Sequence, residues 1–237
     1  QCKTAADRFD LSRVTTAVIV GHGNVALDCA RILTAPRAHL AATDAPEHVL
    51  EALGRSAVRE VILLGRRGPA QASFTTKELR ELSRLQGVRL SVEPAEDTLP
   101  DLETLAPEGD RPRKRLLQLM GTLVTPAVDG ANLPQGDVPH GDVPRQIRIQ
   151  FQKVPVGFVG ASGDAARDTG DTSGGTGDTS GDTGDTVGGT ADRLASIRIV
   201  RTQLVPQTGG GADAPPRALP VPNSEYTLPC ELSLSAV

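Results

Sequence analysis

Two glycines one residue apart, Gly21 and Gly23, follow the apolar run Val18-Ile19-Val20 and precede Asn24-Val25-Ala26-Leu27. Glycine at the first position permits a tight turn out of a strand. At the second, the missing Cβ lets a pyrophosphate approach the backbone. A helix starting just beyond would aim its free N–H groups and positive dipole end at the phosphates. Ala26 stands where this fingerprint has its third glycine, a position of close helix–strand packing that accepts alanine. The glycines alone are a weak signal, and their setting between a strand and a helix gives them weight. The competing reading is a glycine turn that binds nothing.

The next strand-like run, Val61 to Gly65, ends in Arg66-Arg67-Gly68. A dinucleotide with a free 2'-hydroxyl is met at this point by a carboxylate. Two guanidiniums instead offer planar forks to an anion, which suits a 2'-phosphate and selects NADP over NAD. Solvated surface charge is the alternative for both. Glu78 follows Thr75 by three, so the pair forms a capping box in which each side chain caps the other's backbone. His22 has no carboxylate nearby to orient it and is read as contributing a backbone N–H, not an imidazole. Asp28, in the first helix, is read as structural, bonding loop backbone. Arg111 and Arg115 belong to a basic run that opens a helix, where positive charge opposes the dipole. They are four apart and share a face. With Arg80 on an earlier exposed helix face, they are either solvated or a docking patch for an acidic partner.

The elements that would position these residues alternate. Strands are expected over 14–20, 59–65 and 88–92. Helices are expected over 24–34, over the 45–54 stretch capped by Thr43 and Asp44, over 75–86 with Leu79, Leu82 and Leu85 on one stripe, and over 111–124. This order predicts an α/β, Rossmann-like parallel sheet with crossovers, a domain over 10–130. Two alternating runs, 145–151 and 195–205, read as an irregular β hairpin of the same domain. It is interrupted over 160–192 by a Gly/Asp/Thr/Ser repeat whose lack of apolar residues predicts disorder. A Pro-rich loop and a final strand near 230–235 fill 206–237.

The 237 residues carry a formal charge of −4, which argues against nucleic acid as a partner. Three cysteines, Cys2, Cys29 and Cys230, form no C-x-x-C pair, so no metal site and no disulfide framework is expected. No apolar run approaches the ~20 residues of a membrane span. With no Met at position 1, the chain reads as part of a longer protein.

The stretches GHGNVALDCARIL, LLGRRGPAQASFTTKELREL and RPRKRL resemble the adrenodoxin reductase family, NADPH-dependent ferredoxin reductases of mitochondria and actinobacteria. The resemblance runs from about Asp10 to Gln118, is patchy through the strand pair, and returns at LPCELSLS. It implies NADP contacts at Gly21, His22, Gly23, Asn24 and Val25 in the turn, at Arg66 and Arg67, and at Glu78. It implies that Arg80, Arg111 and Arg115 face an acidic 2Fe-2S ferredoxin or adrenodoxin. The whole family protein would pass electrons from NADPH through FAD to that carrier and on to cytochrome P450 systems, in the mitochondrion, with peripheral membrane association open. The flavin domain, with its own glycine fingerprint, is absent from this chain, so the chain alone is expected to lack reductase turnover. The alternatives are a free-standing NADP-binding module or inactive isoform without redox chemistry, and an interaction protein whose acidic repeat does the work.

Overall fold

The computed structural model describes residues 10–93, 102–124, 145–161, 165–166, 193–206 and 216–236. Strand β1 (Thr16–Val20) leads through α1 (Asn24–Thr34), α2 (Arg37–Ala41) and α3 (Glu47–Gly54) to β2 (Glu60–Gly65). Helix α4 (Thr76–Leu82) leads to β3 (Val88–Glu93), and α5 (Arg111–Thr122) precedes β4 (Arg145–Phe151). Then come β5 (Lys153–Gly160), β6 (Ala165–Ala166), β7 (Leu194–Val205), β8 (Arg217–Pro220), β9 (Tyr226–Pro229) and β10 (Leu232–Ser235).

The expected parallel sheet is present, in the order β10-β1-β2-β4-β3 with every pairing parallel. One face carries Ala17, Ile19, Val61, Leu63, Ile147 and Ile149, packed against helix residues such as Leu27, Ala30, Leu79, Leu82, Leu117 and Met120. The other face carries Val18, Ile62 and Leu64, covered by Ile197, Ile199 and Cys230 of the antiparallel sheet β6-β5-β7-β8 and its margin, where β9 also pairs with β7. Helices, parallel sheet and antiparallel sheet thus form three layers. Strand β2 is buried from Val61 to Gly65 because it is covered on both sides, which explains its unbroken apolar run. Each aliphatic side chain fully buried between layers contributes roughly 1.5–3 kcal/mol.

The antiparallel pair differs from the expected one. Residues 145–151 lie inside the parallel sheet between β2 and β3, and it is β5 that pairs with β7. The alternation in 145–151 is real, since Ile147 and Ile149 face the helices while Arg148 bonds Glu60 and Glu93 across its neighbours. Strand β5 is hidden in the sequence by Pro155, Gly157 and Gly160, which mark its two register irregularities. Helix α4 ends at Leu82, four residues short of expectation, although Leu85 is buried as its stripe required. Helix α3 begins after Pro46 with no side-chain cap. Thr43 instead donates from Oγ1 to Leu40 O, 2.6 Å away, closing α2, a helix that the sequence pattern does not announce. Apart from Gly160, Ala161 and β6, the 160–192 repeat lies outside the described residues.

Candidate nucleotide-binding site

Strand β1 ends at a turn in which the two glycines have different jobs. Gly21 has φ +135° and donates its N–H to Leu64 O at 2.9 Å. A Cβ there would lie 2.3 Å from Ala236 O, just past β10, so backbone conformation and the neighbouring strand both demand glycine. Gly23 is the N-cap residue of α1 and has extended backbone. Its Cβ direction meets no atom within 4 Å, so its lack of a side chain leaves open space at a helix N-terminus. Ala26, the third fingerprint position, is fully buried.

His22, between the glycines, turns its ring inward. The imidazole packs edge-on against Phe151 at 4.5 Å and Phe74 at 6.2 Å between centroids, and its Nε2 lies 3.4 Å from Leu63 O. Burial lowers its pKa from 6.5 to about 4, with the Leu63 carbonyl pulling weakly the other way. The ring is neutral at physiological pH and serves as packing. At Gly65, the end of β2, a Cβ would sit 2.1 Å from His22 Nδ1, so the imidazole occupies the room a side chain would need.

The segment after β2 is strapped to this turn. Ser73 donates its N–H to His22 O at 2.9 Å, and Thr75 donates its N–H to Asn24 Oδ1 at 3.0 Å. From α5, Arg113 Nη1 donates to Ala72 O at 2.6 Å. Only half of the expected capping box forms. Thr75 Oγ1 accepts the Glu78 N–H at 3.2 Å, but the Glu78 carboxylate turns away to Arg31 Nη2 at 2.9 Å. Asn24 takes the place Glu78 would have filled on Thr75 N–H. Asp28 also pairs with Arg31, not with loop backbone. Arg31 thus ties Glu78 of α4 to α1, a role invisible in sequence because the two lie 47 residues apart. Val25, in the first turn of α1, is 62% exposed on the open side of the turn.

Arg66 and Arg67 follow β2 at the carboxyl end of the sheet, beside the β1 turn. Both are exposed, and neither side chain bonds or pairs with another described residue. Their backbone is held from beneath, where Arg66 O accepts from Thr202 Oγ1 at 2.6 Å and Arg67 O from Gln152 N at 3.1 Å. The structure thus brings the two glycines, Asn24, Glu78 and the two arginines to the carboxyl end of the sheet. A cavity of about 590 Å3, lined by Leu33, Leu50, Arg55 and Arg145 among others, lies towards the opposite end of the strands, away from this constellation.

Arg111 and Arg115 lie on the exposed face of α5, opposite its buried residues Leu116, Leu117 and Met120, and Arg80 is exposed in the last turn of the neighbouring α4. None has a described partner. The dipole objection to a basic helix start is answered locally by Asp110, whose carboxylate accepts the Arg113 N–H at 2.9 Å as N-cap.

A glycine turn between a parallel strand and a helix, with exposed arginines past the next strand that have no partner among the described residues, is the arrangement of a dinucleotide-binding α/β protein. No family model matches the chain. It is similar to NADPH:adrenodoxin oxidoreductase, mitochondrial, of Bos taurus, 51% identical over 105 residues, 44% of this chain and 21% of that protein. It is similar to NADPH-ferredoxin reductase FprA of Mycobacterium tuberculosis, 52% identical over 91 residues, 38% of this chain and 20% of that one. Among solved structures, FprA of Mycobacterium tuberculosis in complex with NADPH matches with a TM-score of 0.66 and 28% identity, covering 96% of this chain and 39% of that chain. The resemblance to the adrenodoxin reductase family therefore holds, in sequence over less than half of the chain and in fold over nearly all of it. The chain spans about a fifth of the length of these curated relatives. The relatives include mitochondrial and bacterial proteins, so the family is not confined to mitochondria. Among the described residues no helix is long and apolar enough to cross a membrane.

Proposed function

We propose that this chain is the NADP-binding part of an NADPH-dependent flavoprotein that passes electrons through FAD to an acidic ferredoxin or adrenodoxin. The domain runs over 10–130 with the strands of 145–205, and the protein works in mitochondria. The observation that carries the reading is the juxtaposition of an open glycine position at a helix N-terminus with two exposed guanidiniums, one strand away, that have no partner among the described residues. Gly23 and the first N–H groups of α1 receive the pyrophosphate. Arg66 and Arg67 take the 2'-phosphate, which a carboxylate in their place would repel. Asn24 and Glu78 hold the turn against α4, and His22 packs beneath it. NADPH held there supplies a hydride; the residues of this chain bind and orient it. The described residues hold one such glycine turn, so none is assigned to flavin. Arg80, Arg111 and Arg115 form the surface for the iron-sulfur partner.

The test is a titration of the chain with 2',5'-ADP and with 5'-AMP, before and after Arg66→Ala. Two charge-assisted contacts to the 2'-phosphate are worth on the order of 3 kcal/mol together, about 100-fold in affinity. Arg66→Ala should remove roughly half of that free-energy preference. Equal affinity of the unaltered chain for the two nucleotides would refute the NADP assignment.

A further inference from the structure

We infer that Thr202, on the antiparallel sheet, is a positioning residue that sets the preference for the 2'-phosphate. This rests on the nucleotide reading above. Thr202 is only 6% exposed and lies 136 residues from the first of the arginines it serves. Three bonds form a chain beneath Arg66 and Arg67. Thr202 Oγ1 donates to Arg66 O at 2.6 Å, Thr202 N donates to Gln152 O at 2.8 Å, and Gln152 N donates to Arg67 O at 3.1 Å. Gln152 holds φ +54°, a left-handed conformation that a non-glycine residue adopts at a cost and that recurs at functional sites. That conformation turns the chain from β4 in one sheet to β5 in the other. Two residues along β7, Leu204 closes the base of the loop, since a Cβ on Gly68 would meet its Cδ1 at 3.4 Å.

The consequence is a loop whose two arginine side chains are exposed, with no partner among the described residues, and whose backbone is fixed. Arginine side chains are long and lose rotamer freedom on gripping an anion, so the preference depends on how much else must be ordered at the same moment. Fixing two successive carbonyls before the ligand arrives removes the backbone share of that cost. The pyrophosphate end, built on β1 and α1, does not pass through this chain of bonds. Loss of the Thr202 hydroxyl should therefore weaken recognition of the 2'-phosphate and spare the rest.

The experiment compares Kd values of the full chain for NADP+ and NAD+ in Thr202→Val, Thr202→Ser and Thr202→Ala. Thr202→Val should weaken NADP+ binding about tenfold and leave NAD+ binding within about twofold. Thr202→Ser, which retains the hydroxyl, should keep the original ratio. Thr202→Ala differs from Thr202→Ser by the hydroxyl alone, so this pair carries the test even if the valine variant does not fold. A ratio that is the same in the serine and alanine variants overturns the inference, as does a parallel loss of both nucleotides. If the unaltered chain itself shows no preference for NADP+, it is the NADP assignment that fails.

Discussion

Gly65→Ala tests whether the glycine turn is held from below by His22. Gly65 is a strand residue without positive φ, so ordinary propensity allows alanine there. The obstacle is His22, whose Nδ1, Cε1 and Cγ would lie 2.1, 2.3 and 2.6 Å from the new Cβ. Ordinary contact needs more than 3.4 Å, so the ring has to move by more than an ångström. It cannot do so in place, because Phe151 and Phe74 stand against it. Expelling the ring forfeits roughly 1.5–3 kcal/mol of burial and roughly 0.5–1.5 kcal/mol of aromatic contact, about 2–4.5 kcal/mol in all. In a chain of this size that is a fall in Tm of roughly 5–15 °C by thermal unfolding. The decisive measurement is the double-mutant cycle. In a His22→Ala background the ring is gone, and Gly65→Ala should cost less than about 0.5 kcal/mol. If the glycine substitution costs the same in both backgrounds, the strain lies elsewhere and His22 is not the support of the turn.

Gly23→Ala should separate binding from stability. Its Cβ meets open space, so Tm should fall by no more than about 3 °C, while NADP+ binding weakens at least tenfold because the methyl group occupies the room the pyrophosphate needs. His22 should also give the chain a sensitivity to acid. Its pKa is about 4 in the fold and 6.5 unfolded, so between those values the unfolded chain binds a proton that the folded chain refuses. Stability should drop by up to about 3 kcal/mol as pH falls from 6.5 to 4, and denaturant melts of His22→Gln should show that slope flattened. In the complete flavoprotein proposed above, Arg115→Glu should slow ferredoxin reduction and reduce its salt dependence while leaving ferricyanide reduction unchanged; an unchanged salt dependence would make the basic helix start plain solvated surface.

The residues whose roles follow from local chemistry can be read in the sequence. The alternation of strands and helices, the glycine turn, the buried run of β2 and the basic end of that strand all depend on neighbours within a few positions, where periodicity and turn chemistry are informative. Two of the departures share one cause, a locally satisfied pattern rewired by a partner distant in the chain. Thr75 and Glu78 spell a capping box, but Asn24 supplies the acceptor for Thr75 N–H and Arg31 draws Glu78 away. The inward packing of the His22 ring is not legible locally, because its aromatic neighbours Phe74 and Phe151 lie far along the chain. Residues 145–151 alternate like a half-buried hairpin strand, yet they lie within the parallel sheet, their polar side answered by Glu60 and Glu93 on the two flanking strands. Thr202 gives no signal at all, being one threonine in an alternating run, and its hydroxyl acquires a role only when the second sheet folds back beneath the arginines. A local motif names the groups that touch a ligand. The groups that hold them still are set by tertiary contact, and here they come from the helix layer, through Asn24, Arg31 and Arg113, and from the antiparallel sheet, through Thr202.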